Sequence, residues 1–307
     1  MAPGVVPNGQ PADWAHVARV VYRVEQRYQY TYTEPVRSLH HRLMVVPCDV
    51  HGDQRLLDHK LSIDGTIDEP TLEWDCDQFG NRVCTVRAGR VAQIVTFDAT
   101  FRVERLAKDG DRSAWEAPAP AAELARWLEP TPLTTPDAYL RRVADGLRAS
   151  SRWQRGRAYR AYHWAAAAIT YRAGVTAYDT TAGAALAGGE GVCQDYAHIL
   201  LTVLRLLDIP ARYVSGHLLG EGTPHAWVEA LFVDDTVPGG VRVVPYDPTN
   251  RAEPGLNYVT VAIGRDFADV TPTSGWFVGR ASSELFCSKR ADVVEVEYRD
   301  GARGQFG

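Results

Sequence analysis

The stretch Gly189-Glu190-Gly191-Val192-Cys193-Gln194-Asp195-Tyr196 sets one thiol where a glycine-rich approach meets an apolar run of helical length. A thiol in the first turn of a helix lies at the positive end of the macrodipole, beside backbone N–H groups with no intrahelical acceptor. Both favour the thiolate, the form of cysteine that attacks electrophilic carbon. The same N–H groups, that of Cys193 included, can bind the oxygen that turns negative when a carbonyl is attacked. The glycines permit a tight backbone and leave the sulfur accessible.

A cysteine nucleophile needs a base, and the base needs an acceptor that orients it. Thr223-Pro224-His225-Ala226-Trp227 opens one predicted strand, and Pro245-Tyr246-Asp247-Pro248-Thr249-Asn250 closes the next. In a hairpin of suitable register His225 and Asp247 become cross-strand neighbours. Asp247 would then fix the imidazole tautomer and stabilise the imidazolium. Taken singly, each of the three has a plainer explanation. Cysteine is among the most buried residue types, a lone histidine beside apolar residues is usually packed, and Asp-Pro starts turns. The plain explanation is kept for Cys48, Cys76, Cys84 and Cys287. Cys193, His225 and Asp247 rise above it because all three fall at element boundaries in a workable order.

Other titratable residues fit structural roles. His198 shares the Cys193 helix but lies off its face, and is expected to be packed. Asp195 suits the helix dipole but opposes a thiolate, so it is assigned to structure. His217, with His225 and Cys193, lacks the spacing and the fourth ligand of a zinc site. No calcium loop of the D-x-D-x-D-G type occurs. Neither a metal nor a cofactor is therefore expected. His40 and His41 have no partner that the sequence identifies.

The elements that must position these residues fall into two groups. From 17 to 106 short alternating strands rich in Val, Tyr and Thr are separated by turns such as Phe79-Gly80-Asn81, which predicts an antiparallel β-sandwich. Residues 107–135 carry several prolines and read as a linker. From 136 to 300 helices come first, around 136–153 and 156–174. The almost wholly apolar helix headed by Cys193 follows and is predicted to be central and buried. Asp208-Ile209-Pro210 ends it, and antiparallel strands complete an α+β domain. Residues 1–16 and 301–307 are predicted tails.

The 307-residue chain is 45% hydrophobic and 23% charged, with a formal net charge of −5. A mildly acidic chain of this kind is a poor general ligand for nucleic acid or an anionic membrane. No apolar run reaches membrane-spanning length and no signal-peptide pattern opens the chain. Five scattered cysteines suggest reduced thiols. A cytoplasmic location is the expectation; oligomeric state is not legible.

The segments GEGVCQDYAHILLTVLRLLDIPARYVSGHL, TPHAWVEALF and VVPYDPTN resemble the core of the transglutaminase-like superfamily, the papain-like cysteine enzymes. YRVEQRYQYTYTEPVRSLHHRLMVVP, CDQFGN and GRDFADVTPTSGWFVG resemble its bacterial branch, which has an N-terminal β domain. The resemblance spans about residues 17–300. It implies a Cys193–His225–Asp247 triad on a helix packed against an antiparallel sheet, and attack on a peptide or carboxamide carbonyl through a thioester. Papain-like enzymes often place a glutamine shortly before the nucleophile as an oxyanion donor; none lies between Gln154 and Cys193. Tyr178 and Trp164 are candidates for the second donor, and Gln194 is expected to turn elsewhere. Hydrolysis is the first expectation. Acyl transfer to an amine, with Tyr196, Trp227, Tyr246 and Trp276 lining an acceptor groove, is the second. A non-catalytic binding scaffold is the third.

Overall fold

The computed structural model describes residues 5–6, 10–11, 14–107, 115–118, 121–220, 222–234, 236 and 240–306. Most of the predicted tail 1–16 and of the 107–114 stretch lies outside the described residues.

The N-terminal sheet is built on one long strand. β1 (Val17–Tyr32), β2 (Val36–Leu43), β3 (Gln54–Thr66) and β4 (Thr71–Cys76) all pair with β5 (Arg82–Leu106). β1 and β2 follow one edge of β5, and β3 and β4 follow the other, antiparallel throughout. The sheet does not run flat. His41, which is opposite Val86, stands 5.1 Å ring to ring from Phe97. Val86 and Phe97 are eleven residues apart on β5, roughly 36 Å in a straight strand. The strand must therefore fold back, and its halves close on one core holding Tyr28 and Phe97 from one half and Leu39, Leu43 and Val86 from the other. The predicted sandwich is one sheet bent over itself. Gly65 sits at the bend with φ +91°, where a Cβ would lie 2.0 Å from the Ile94 carbonyl oxygen.

After the edge strand β6 (Trp115–Pro118) and α1 (Ala121–Arg126) come α2 (Ala138–Ser150), α3 (Gln154–Ala168), α4 (Ala182–Gly188) and α5 (Cys193–Leu206). Every residue of α5 from Asp195 to Arg205 is buried, as its apolar circumference predicts. It lies on an antiparallel sheet formed by β7 (Ala211–Leu218), β8 (His225–Val233), β9 (Gly240–Tyr246) and β10 (Tyr258–Gly264), in the order β10-β7-β8-β9-β6. Part of the predicted linker thus belongs to the fold: Trp115–Pro118 extends this sheet, and Leu124, Trp127 and Leu133 are buried.

The predicted 136–300 unit needs a second correction. β11 (Thr273–Val278) pairs with β2, and β12 (Ser283–Tyr298) pairs with the whole of β1, from Ser283 opposite Tyr32 to Tyr298 opposite Val17. β13 (Arg303–Gln305), in the predicted C-terminal tail, pairs with β12. The chain's end therefore completes the N-terminal sheet. Alternating residues there match the open edge of β1, so backbone groups that would otherwise be unpaired are satisfied.

The sheets meet along a seam. Val24, Phe101 and Val103 pack on Val259 and Val261 of β10. Two side-chain amides bracket the β10 backbone: Gln54 donates to the Thr260 carbonyl and accepts its N–H at 2.7 and 2.9 Å, and Asn81 does the same to Ile263 at 2.7 and 2.8 Å. Among the described residues no helix is long and apolar enough to cross a membrane.

Candidate active site

The approach to Cys193 is held by three devices. α4 ends at Gly189, whose φ of +70° is natural only to glycine among unstrained residues. Glu190 and Gly191 then pair in parallel with Thr170 and Tyr171. Finally the Asp195 carboxylate accepts the Val192 N–H at 2.8 Å and the Thr176 hydroxyl at 2.7 Å. A Cβ on Gly191 would fall 2.7 Å from that carboxylate, so only glycine lets the lock close. Burial nevertheless pushes the Asp195 carboxyl above its ordinary range, with the Val192 and Thr176 bonds opposing it. Asp195 has the structural place expected of it.

Cys193 is the first residue of α5 and is partly exposed. The Asp195 and Tyr196 N–H groups both turn to the Val192 carbonyl. The Cys193 N–H, at the first position of the helix, has no acceptor within the helix.

His225 opens β8 opposite Gly216 of β7. That glycine is needed: a Cβ there would stand 2.1 Å from the Val259 carbonyl oxygen and 2.6 Å from the Trp227 ring. Asp247 follows β9 immediately, and the register sets Tyr246 opposite Val228. Asp247 is thus diagonal to His225 rather than directly opposite, and a bridge to Ala252 curls it back. His225 Nε2 donates to Asp247 Oδ2 at 2.7 Å, and the Cys193 sulfur lies near enough to the ring to favour its charged form. With Nε2 committed to the carboxylate, Nδ1 is the nitrogen that serves the sulfur. The structure brings the three predicted residues into one chain of contacts.

Asp247 is held more heavily than the sequence reading foresaw. Besides His225, Oδ2 accepts the Tyr258 hydroxyl at 2.8 Å and the Asn250 side-chain N–H at 2.9 Å. Oδ1 accepts the backbone N–H groups of Thr249 and Asn250 at 3.0 and 3.2 Å. Burial alone would raise this carboxyl, but the bond and charge of His225, then Asn250 and Tyr258, hold it below the usual range. Burial alone would likewise lower His225; the bonds and charges of Asp247 and Cys193 outweigh it and raise the imidazolium from its ordinary 6.5 to about 10. Such an imbalance of burial and specific partners is typical of groups tuned for chemistry. Asn250 stood inside the quoted motif without a role. Tyr258 lies on a strand that no motif marked, and its spacing carries no signal.

Cys193 and His225 border a cleft of about 690 Å³. Its walls include Tyr178, Tyr213 and Phe267 from the α+β part, and Tyr28, Leu285 and Cys287 from the N-terminal sheet. The N-terminal sheet is therefore a wall of the cleft. Tyr178 lines it, as a candidate oxyanion donor should; Trp164 does not, being packed against the helical core. The Gln194 side chain lines the cleft and donates to the Tyr178 carbonyl at 3.1 Å, which turns its amide aside. The aromatics expected to line an acceptor groove lie elsewhere: Tyr196 and Tyr246 in the helical core, Trp227 on the far face of the sheet, Trp276 stacked on His40. For Tyr196, Trp227 and Tyr246 the core is the default place of an aromatic beside buried strands, whereas Trp276 is exposed.

His198 is fully buried; its Nε2 accepts the Phe267 N–H at 3.2 Å, and burial lowers the ring to about 3. His41 is packed between Tyr30 and Phe97. Among the described residues no group of three or more His, Cys, Asp or Glu side chains is arranged to hold a metal ion.

Comparison with known proteins agrees over most of the chain. The transglutaminase-like superfamily matches residues 141–248, and the bacterial transglutaminase-like N-terminal region matches residues 22–104. An uncharacterized protein of Mycobacterium tuberculosis is 30% identical over 305 residues, covering 90% of this chain and 93% of its own. One from Mycobacterium leprae is 33% identical over 213 residues, covering 65% of this chain and 73% of its own. Among solved structures, a candidate cysteine protease from Cytophaga hutchinsonii superposes with a TM-score of 0.71 over 90% of this chain and 91% of that one. Its sequence identity is 20%, so the likeness concerns the fold. The chain belongs to the transglutaminase-like superfamily, in the bacterial form that joins the papain-like cysteine-enzyme core to its own N-terminal β region.

Proposed function

We propose that the protein is a cysteine peptidase or amidase that works through a thioester, with Cys193 as nucleophile, His225 as acid and base, and Asp247 as the group that orients His225. The observation that carries this reading is the His225–Asp247 hydrogen bond, with Cys193 and His225 side by side on the wall of one cleft. An imidazolium beside the sulfur favours the thiolate by direct charge. The thiolate adds to an amide carbonyl, and the oxygen takes the negative charge at the head of α5, near the Cys193 N–H. The tetrahedral adduct collapses by expelling nitrogen, which leaves as amine with the proton from His225. Water then attacks the thioester, gives its proton to His225, and releases the acid and the sulfur. The substrate is a peptide or protein amide.

The apolar, aromatic walls of the cleft favour a second acceptor as well. Exclusion of water is how an amine competes with it for a thioester, and Tyr28, Tyr178, Tyr213 and Phe267 line the space where water would enter. Product analysis with and without a primary amine separates hydrolysis from acyl transfer. The primary test is alkylation by iodoacetamide at pH 6, read by mass spectrometry. Cys193 should label at least about tenfold faster than the exposed Cys76. Equal labelling would remove the activated nucleophile, and with it both reactions. All five cysteines are free thiols, which supports a cytoplasmic location.

A further inference from the structure

The cleft does not end at Cys193. On β12, Cys287, Lys289 and Ala291 are alternate residues and share a face, opposite Tyr28, Gln26 and Val24 of β1. Cys287 lines the cleft, while Ala291 belongs to the seam core. Lys289 lies between these two on the same face and is only partly exposed; its strand also borders a separate pocket with Glu25 and Asp98. The facing strand repeats the pattern. On β7, Ser215 lines the cleft, and His217 lies two residues further, opposite Val259 of the seam. His217 is 2% exposed, its ring is 6.2 Å from that of Phe101, and its Nε2 is buried without a hydrogen-bond partner.

The two side chains form an incomplete site. The Lys289 ammonium is close enough to depress His217, and it feels the charges of both Cys287 and Cys193. No carboxylate sets the charge of either group, Glu25 and Asp98 of the neighbouring pocket are paired with Arg23 and Arg27, and among the described residues Lys289 has no ion pair. Burial lowers the lysine to about 7. A buried ammonium without a counter-ion and a buried imidazole nitrogen without a partner are both costly. They become favourable together if an anion completes them.

We propose that Lys289, with His217 behind it, anchors a carboxylate carried by the acyl donor, so that the preferred substrate is a short peptide or amino-acid amide bearing a free carboxylate near the bond Cys193 attacks. The proposal rests on the assignment of Cys193 as nucleophile. Carboxylate capture at one end of the cleft sets the carbonyl against the sulfur at the other, and the aromatic walls take the side chain between them. Proteins with that group amidated lose the anchor.

The test uses two alkylating agents of one shape, bromoacetyl-phenylalanine and its carboxamide, against the full chain at pH 6.5. Rates are read at the Cys193 peptide by mass spectrometry. The acid should alkylate Cys193 about tenfold faster than the amide, the effect of one charge-assisted contact. In Lys289→Met and Lys289→Gln that ratio should fall by most of the tenfold, and in Lys289→Arg it should survive. The His225 imidazolium also attracts the acid, but it is common to all four proteins. Equal rates in the wild type, or an unchanged ratio in both neutral variants, would overturn the anchor. A second arm does without the nucleophile. N-Acetylphenylalanine should raise the Tm of Cys193→Ala and its amide should not, and the difference should vanish when Lys289→Met is added. A carboxylate-specific shift with no alkylation of Cys193 by either agent would keep the anion site and refute the nucleophile. Rapid alkylation without carboxylate preference in either arm would do the reverse.

Discussion

Replacing Asp247 by asparagine probes the whole relay. An asparagine has one acceptor and one donor where the aspartate has two acceptors. If its oxygen faces His225, Tyr258 and the Asn250 amide, its NH2 meets the backbone N–H groups of Thr249 and Asn250, which now point at the Oδ1 position from 3.0 and 3.2 Å. If it is flipped, the NH2 meets three donors instead. Neither orientation satisfies the site, and the charge is gone. The rise of His225 from 6.5 to about 10 corresponds to roughly 5 kcal/mol, at ~1.4 kcal/mol per pH unit. Asp247 and Cys193 share it. If Asp247 supplies half, its removal moves the equilibrium between the imidazolium–thiolate pair and the neutral imidazole–thiol pair by about fiftyfold toward the neutral one, in the direction burial also favours. Cys193 alkylation by iodoacetamide at pH 6 should fall by up to about fiftyfold in Asp247→Asn, while at pH 10 the two proteins should agree within about threefold. The assay is a pH series of alkylation rates, read at the Cys193 peptide, on samples shown by circular dichroism to be folded. A variant as reactive as the wild type at pH 6 would refute the idea that Asp247 maintains the charged imidazole.

Three further outcomes follow from the same geometry. Tyr258→Phe removes one hydroxyl from Asp247 Oδ2; it should cost about 1.5 kcal/mol in urea unfolding and lower kcat more than it raises KM, since the hydroxyl orients the relay and lines no part of the cleft. Gly216→Ala forces a Cβ against the Val259 carbonyl and the Trp227 ring; a loss of about 3 kcal/mol in stability is expected, and a change below about 0.5 kcal/mol would show that the β7–β8 pair can spread. Catalysis should also have an alkaline limb. His225 is raised, so the proton it gives to the leaving amine is present at neutral pH and is lost as pH climbs through about 10; kcat/KM should decline there, and a limb starting near the ordinary 6.5 would contradict the assignment.

Much of the site was legible because its signals are local. Gly189 and Gly191 before Cys193, an apolar helix after it, and Asp208-Ile209-Pro210 at its end are adjacent in the chain, and each dictates backbone shape by itself. His225 at a strand mouth and Asp247 at a strand end are likewise fixed by neighbours, so the three could be chosen as candidates without coordinates. Their exact pairing was not: the diagonal register of Asp247 and the Tyr258 hydroxyl depend on strands whose alignment no short motif encodes. The linker reading of 107–135 failed in part because prolines at strand ends look like prolines in loops. Trp115–Pro118 is an edge strand, where proline is tolerated.

The sequence by itself determined the helix that Cys193 heads, the strand mouth that carries His225 and the strand end that carries Asp247, and the β-then-α+β order of the chain. Only the tertiary structure decided what surrounds them. Residues 283–298 return across the whole chain to pair with residues 17–32, and this carries Leu285 and Cys287 to the cleft beside Tyr28. The physical reason is that a strand's hydrogen bonds are made to whichever edge is open. Alternation says which residues share a face, but the partner and the register emerge only when the entire sheet has formed.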